Sequence, residues 1–381
     1  MTPTAKPPIW RNVRFLAWAF QLVALALVVT LIAILANNVR VNSANLGVPV
    51  GLDFLKQPAS FEIPANEFRS TQSVQSAMVQ GALNTLRVAI LGIVLATILG
   101  VLVGIGRLSG NWLVRNLSRI FVESIRNIPL LGIVVFAYLA LVLSALPSVQ
   151  ESWELSGLVI ANTRGTSGPW FTGAIVNVLA SAALAGLVAW LIRRWRLSRL
   201  DQYGEAPNVF WWTAPVFVLV MFWTAFLLGI GVTTPMVDGR RVVGGITLQP
   251  EYFALLIALV IYTASHIAEI VRGSIQAVPR GQAEASMAMA LSPVQRMRFV
   301  ILPQATRIAL PPLGNQYLNL LKNSSLGFVI SYFELTKVTS TTIGNRSPAV
   351  PAYLLMMLLY LIASLSISAV VNFFNRRLRI H

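Results

Sequence analysis

The chain contains no cysteine in 381 residues. That excludes disulfides, thiolate metal sites and a cysteine nucleophile. It has two histidines, His266 and His381, too few and too far apart for a histidine-based metal site. Charge is scarce as well: 11% of the residues are Asp, Glu, Lys or Arg, against about 25% in soluble domains. The 13 acids are spread along the chain, and they do not gather with histidine into the convergent set that a membrane enzyme requires. No GxxxxGK[ST] phosphate loop occurs, so the chain is not expected to hydrolyse ATP. Nor is there an internal repeat of the kind that ion-driven secondary transporters carry. Such a transporter remains the alternative reading.

Apolar sequence is abundant. Hydrophobic residues make up 56% of the chain and the mean hydropathy is +0.71. Apolar runs near 15–36, 83–106, 130–146, 171–192, 210–231, 251–271, 308–333 and 351–374 predict an all-α integral membrane protein of about eight spans. The first run is longer than a signal-peptide core and is followed by no clear cleavage site, so it is expected to remain as a span. The net charge of +16 does not form a nucleic-acid patch, because the basic residues flank the apolar runs in short clusters. If the N-terminus is inside, the inner segments hold 19 Lys and Arg and the outer ones 8. This contrast places both termini in the cytoplasm. The segment 37–82 is expected to fold over the outer surface, and 147–170 and 232–250 to be outer loops. Gly100, Gly104 and Gly106 have the spacing of close helix packing.

One stretch between the runs has a pattern of its own, Gly273–Leu326. Pro279 and Pro293 bracket Arg280–Ser292, where good helix formers predict a short helix with Glu284 in its first turn, a position that suits the helix dipole. Ala283, Ala285, Ala288 and Ala290 leave a smooth surface for another protein. The residues alone fit equally well a helix lying on lipid headgroups.

The stretch resembles the EAA loop of ATP-binding-cassette importer permeases, in particular the polar amino acid uptake family. The family pattern is EAA, three residues, Gly, nine residues, then I-x-LP. This chain reads Glu284, Ala285, Ser286, then Ala290 at the glycine position, then Val300, Leu302 and Pro303. AVPRGQ, with Gly281, and LPQATR, PPLGNQ and LLKNSSL resemble the same branch. Upstream, Gly81–Ser109 looks like the start of the family scaffold. Phe121–Gly132 resembles E-x-x-RGTPLL, with Asn127 and Ile128 replacing Gly-Thr. The likeness covers 81–146 and 250–376.

The resemblance implies a type I (MetI-like) permease core with extra spans. It divides the chain into an N-terminal tail, first span and outer segment (1–80), a first core part (81–146), an insertion with two spans (147–249) and a second core part (250–381) that includes the coupling loop 272–307. The layout is similar to long permeases of the general L-amino acid type. The implied function is translocation of polar L-amino acids across the bacterial inner membrane by alternating access. The implied partners are a cytoplasmic ATPase that uses the ATP and Mg, a periplasmic amino-acid-binding protein, and a second, shorter permease chain in a heterodimer. No cofactor or metal is expected in this chain.

Along the seventh run Asn315, Asn319, Lys322 and Asn323 recur at i, i+4, i+7 and i+8, one polar stripe on a helix. Lysine within a span is costly in lipid and faces water or the bundle interior, so the stripe is a candidate substrate path. Snorkelling at a helix end is the plainer reading of Lys322. The spacings Glu269–Arg272 and Glu123–Arg126 predict local ion pairs.

Overall fold

The computed structural model describes residues 13–45, 47, 51–64, 68–172, 175–203, 209–239, 241–345 and 347–378. Lys6, Arg11, Glu67, Arg379 and both chain ends, whose side was expected to be cytoplasmic, lie outside the described residues. The architecture is helical: α1 (Val13–Asn45), α2 (Val74–Gly106), α3 (Trp112–Arg126), α4 (Leu130–Leu139), α5 (Ile175–Tyr203), α6 (Val209–Leu227), α7 (Pro250–Gln276), α8 (Arg280–Ala288), α9 (Pro293–Arg296), α10 (Leu302–Asn323), α11 (Leu335–Gly344) and α12 (Ala349–Leu378). Among the described residues, five helices are long and apolar enough to cross a membrane: α1, α2, α5, α7 and α12. The pair α3–α4, bent by 102°, makes a sixth if it is one span. Two expected runs fall outside this count. The apolar part of α6 is short, and α10 is diluted by Asn, Gln, Lys and three prolines, although its 22 residues reach about 33 Å at helical rise.

The chain divides into two compact units. The first comprises residues 1–63, 67–87 and 333–380. Its core is Phe54, Ala59, Ile63, Phe68, Val74, Ala77, Met78, Leu335, Val338 and Ala352, so the polar segment after α1 folds onto the start of α2, α11 and α12. Helix α2 begins well before its apolar run because Val74, Ala77 and Met78 are buried in this core. This unit also holds a fully buried carboxylate, Glu334. It caps α11 by accepting from the Thr336 and Lys337 amides at 2.8 Å each, and it accepts from Tyr360 Oη at 2.8 Å.

The second unit comprises residues 64–66, 88–332 and 381. Helix α7 is its axis: α10, α4 and α3 pack on it, and Leu255, Leu259, Ala264, Ile267 and Ala268 are wholly buried. The segments after α4 and after α6 contain strands. β1 (Trp153–Leu155), β2 (Val159–Asn162), β3 (Gly165–Gly168) and β8 (Ile246–Leu248) form an antiparallel sheet in the order β1-β2-β3-β8. β4 (Trp170–Thr172) pairs with β5 (Gly231–Thr233), and β6 (Met236–Asp238) with β7 (Arg241–Val243). Val, Ile, Thr and Trp favour these extended segments. Gly157, Gly239, Gly244 and Gly245 make the turns at positive φ, which is why the same residues read as loop in sequence.

Candidate transport site

Three features of the second unit bear on transport. The first is helix α8, in the segment where the coupling loop was expected. It starts directly after Pro279 and is shorter than the Arg280–Ser292 run predicted. It stops where Ala290 takes φ +58°. The Leu291 amide then donates to Ser286 O at 3.1 Å and the Ala290 amide to Met287 O at 2.9 Å. This is the helix-ending motif that normally has glycine at the left-handed position. Alanine there costs about 1 kcal/mol relative to glycine, so the departure at the family's glycine position leaves the turn in place under strain. The other departure, Ser286, is buried, and its Oγ donates to Ala283 O at 2.6 Å. Gly281, Glu284 and Ala285 are exposed. Glu284 is the fifth helical residue, and the first turn holds no acid. The expected dipole contact is therefore absent, because the helix begins at Arg280 and Glu284 falls one turn later. Ser292 opens α9 with a reciprocal capping box to Gln295. Pro303 lies in the first turn of α10, and Gln304 Nε2 donates to Gln282 Oε1 at 3.2 Å, tying α10 back to α8. Around this frame Met287, Met289, Val294 and Phe299 are more than half exposed.

The second feature is the face of α10. Ala305, Ala309, Gly314, Leu320 and Leu321 are buried. Asn315, Asn319 and Lys322 are exposed and Asn323 is half-buried, so the predicted stripe lies away from the buried face. Pro311 and Pro312 interrupt the hydrogen-bond ladder within the helix.

The third is the contact between α2 and α7. A Cβ on Gly100 would lie 2.6 Å from Ile267 Cβ, and one on Gly104 2.8 Å from Ala268 O. Both glycines are required for this approach. At the end of α2, Arg107 Nη1 donates to Glu269 Oε2. Arg272 donates to Glu269 Oε1, through Nε at 3.2 Å and through Nη2. The predicted Glu269–Arg272 pair is thus present, with a second arginine from 162 residues away. The predicted Glu123–Arg126 pair is replaced: Glu123 Oε1 accepts from Arg119 Nε at 2.7 Å. Arg126 instead lines a cavity of about 390 Å³ with Arg107, Glu123, Asn127, His266 and Glu269. His266 Nε2 is buried without a hydrogen-bond partner among the described residues. No group of three metal-ligating side chains exists among the described residues.

Residues 182–380 match the family described as binding-protein-dependent transport system inner membrane component, a match to more than half of the chain. This chain belongs to that family of membrane permeases. Relatives place the permease in the amino-acid ABC branch. It is 37% identical to the general L-amino acid transport system permease protein AapQ of Rhizobium johnstonii, over 94% of this chain and 91% of that one. It is 35% identical to the putative amino-acid ABC transporter permease protein YhdX of Escherichia coli, over 96% and 94%. It is 34% identical to the glutamate/glutamine/aspartate/asparagine transport system permease protein BztB of Rhodobacter capsulatus, over 97% and 95%. The permease is therefore an inner-membrane protein, and the segments 37–82 and 147–249 fall within a length shared with these relatives.

Proposed function

We propose that this permease translocates polar L-amino acids of several kinds by alternating access, driven by a separate ATPase that grips α8. The observation that carries the reading is α8 itself, a short, proline-bounded helix at the end of a spanning helix. It displays Gly281, Glu284 and Ala285 at its surface beside exposed Met287, Met289, Val294 and Phe299. Small residues admit close approach and the apolar rim supplies burial. α8 joins α7 to α10, so a push on it reaches both helices of the core. The ATP and Mg belong to the partner ATPase, and this chain needs no cofactor. The termini and α8 lie on the cytoplasmic side by the distribution of basic residues.

The stripe on α10 lines the substrate path. A lysine and two amides exposed on a helix of membrane-spanning length do not face lipid without cost, so they face water or a second, shorter permease chain across a heterodimer seam. The cavity beside α7 is a further polar surface on that path, and its open groups, Arg126 and His266, suit a carboxylate. A periplasmic binding protein delivers the amino acid. The relatives' names, which span general L-amino acids and the acidic amino acids with their amides, support broad choice. The core comprises 81–146 and 250–381, and the insertion 147–249 packs around it without touching substrate.

The test is uptake of several labelled amino acids in cells that express the full transport system, comparing wild type with Glu284→Lys. ATP-dependent uptake that disappears in the variant while the chain still inserts and folds supports coupling through α8. Undiminished uptake by the variant overturns it in favour of an ion-driven carrier.

A further inference from the structure

Helix α3 has an amphipathic character that the transport reading does not use. Leu113, Leu117 and Ile120 fall on one arc at i, i+4 and i+7, and they are 56%, 59% and 60% exposed. Arg115 and Arg119 lie on the other side, with one acid, Glu123, against three arginines in the helix. Ser118 and Val122 form the inner edge: Ser118 lies against Gly106 and Val122 is buried. The helix is firmly started, since Asn111 Oδ1 accepts from the Leu113 and Val114 amides at 2.9 and 3.3 Å. Its exposed apolar arc is therefore a built surface and not a frayed end.

Two placements identify what covers that arc. α3 begins six residues after the end of the spanning helix α2 and turns by 102° into apolar α4, so it runs across the membrane face when α4 runs through it. At its C-terminal end an apolar cleft of about 670 Å³ opens, lined by Ile125, Ile128, Ile133, Phe136, Ile257 and Ile261 among others. We propose that α3 and this cleft form a phospholipid site: the apolar arc seats in the leaflet that holds the end of α2, an acyl chain occupies the cleft, and an anionic headgroup meets Arg115 and Arg119. A helix with an apolar face sunk to the acyl boundary and arginines among the headgroups is the stable arrangement at such an interface. Arg115 keeps donors free beyond its 3.2 Å bond to Ser109 O, whereas Arg119 is partly neutralised by Glu123. The inference rests on membrane insertion alone and is independent of the substrate and of the ATPase.

The absence of cysteine makes the test direct. Single cysteines replace Leu113, Leu117, Ile120 or Arg115 in the assembled transporter and are labelled with bimane. The protein is placed in phosphatidylcholine vesicles with phosphatidylglycerol as roughly a quarter of the lipid. Brominated acyl chains are expected to quench labels at 113, 117 and 120 and to spare the one at 115, with aqueous iodide giving the opposite order. Brominated phosphatidylglycerol is expected to outcompete phosphatidylcholine at 117, and Arg115→Gln to reduce that preference by up to about fivefold. Iodide quenching at all four positions would show a solvent-facing helix, and protection from both quenchers would show a protein partner on the arc; either overturns the proposal. Equal quenching by the two lipids, unchanged in Arg115→Gln, overturns the anionic headgroup.

Discussion

The α2–α7 contact and helix α8, which follows α7 in the chain, are built on opposite principles. Between α2 and α7, Gly100 and Gly104 remove side chains so that two backbones meet, and Ile267 and Ala268 are wholly buried. α8 buries only Ser286 and presents the rest of its surface outward. The first region invests its residues in contact within the chain. The second leaves its contacts unmade. Small residues serve both, since they admit a neighbouring helix in one case and leave an open platform in the other. Substitution effects should divide accordingly: losses of stability at the contact, losses of transport without instability at α8.

The largest effect is expected at Gly100→Val. No space exists for its side chain against Ile267 and the Ala264 carbonyl, and overpacking of this kind costs about 1–3 kcal/mol or more. Thermal unfolding of the purified transporter should shift down clearly, while Glu284→Lys should leave it unmoved. Unchanged unfolding of Gly100→Val would show that the two helices separate at little cost. Next is Glu269→Ala. It removes the acceptor shared by Arg107 and Arg272, leaving both part-buried guanidiniums without their carboxylate and Arg272 with its bond to Gln276, a loss of about 1–3 kcal/mol after allowance for their partial exposure. Arg107→Ala in the same background should then add little, because the two share one bond.

A smaller effect of opposite sign is expected at Ala290→Gly. The left-handed turn is already formed, so relief of its strain should stabilise the protein by about 1 kcal/mol. A destabilised variant would show that the turn is held by contacts of the alanine methyl. The smallest is Arg119→Ala on α3. That pair with Glu123 is more than half exposed, and such i, i+4 pairs contribute about 0.3–0.5 kcal/mol. Unfolding should barely move, which separates this surface pair from the one at Glu269.

Much of this was legible in order along the chain. Pro279 and Pro293 bracket α8 in the sequence, and the spacing of Asn315, Asn319 and Lys322 puts them on one face because helical period is a local property. The ion pairs show where that reasoning stops. Glu269 is matched at i+3 as its spacing predicts, but Glu123 turns the other way to Arg119 at i−4, since both spacings are within reach on a helix. Arg107, 162 residues from Glu269, gives no local signal. The buried Glu334 was equally hidden. It stands just past the 308–333 apolar run, where no local pattern marks it, and its environment comes from the start of α11 and from Tyr360 of α12. The strands between 153 and 172 and between 231 and 248 were read as loops because segments of three or four residues broken by glycine carry too short an alternation to register.

Membrane class and the short helix after Pro279 were legible in the sequence, because hydropathy, proline placement and helical period act through near neighbours along the chain, and the family was legible in its motifs. Only the tertiary structure decided that Gly100 and Gly104 meet α7, that Arg107 shares Glu269 with Arg272, that Ala290 holds a glycine's conformation, and that α3 carries its apolar arc outward. Each of these depends on which surfaces are brought together in space, and a distance across 162 residues of chain is a property of the packing alone.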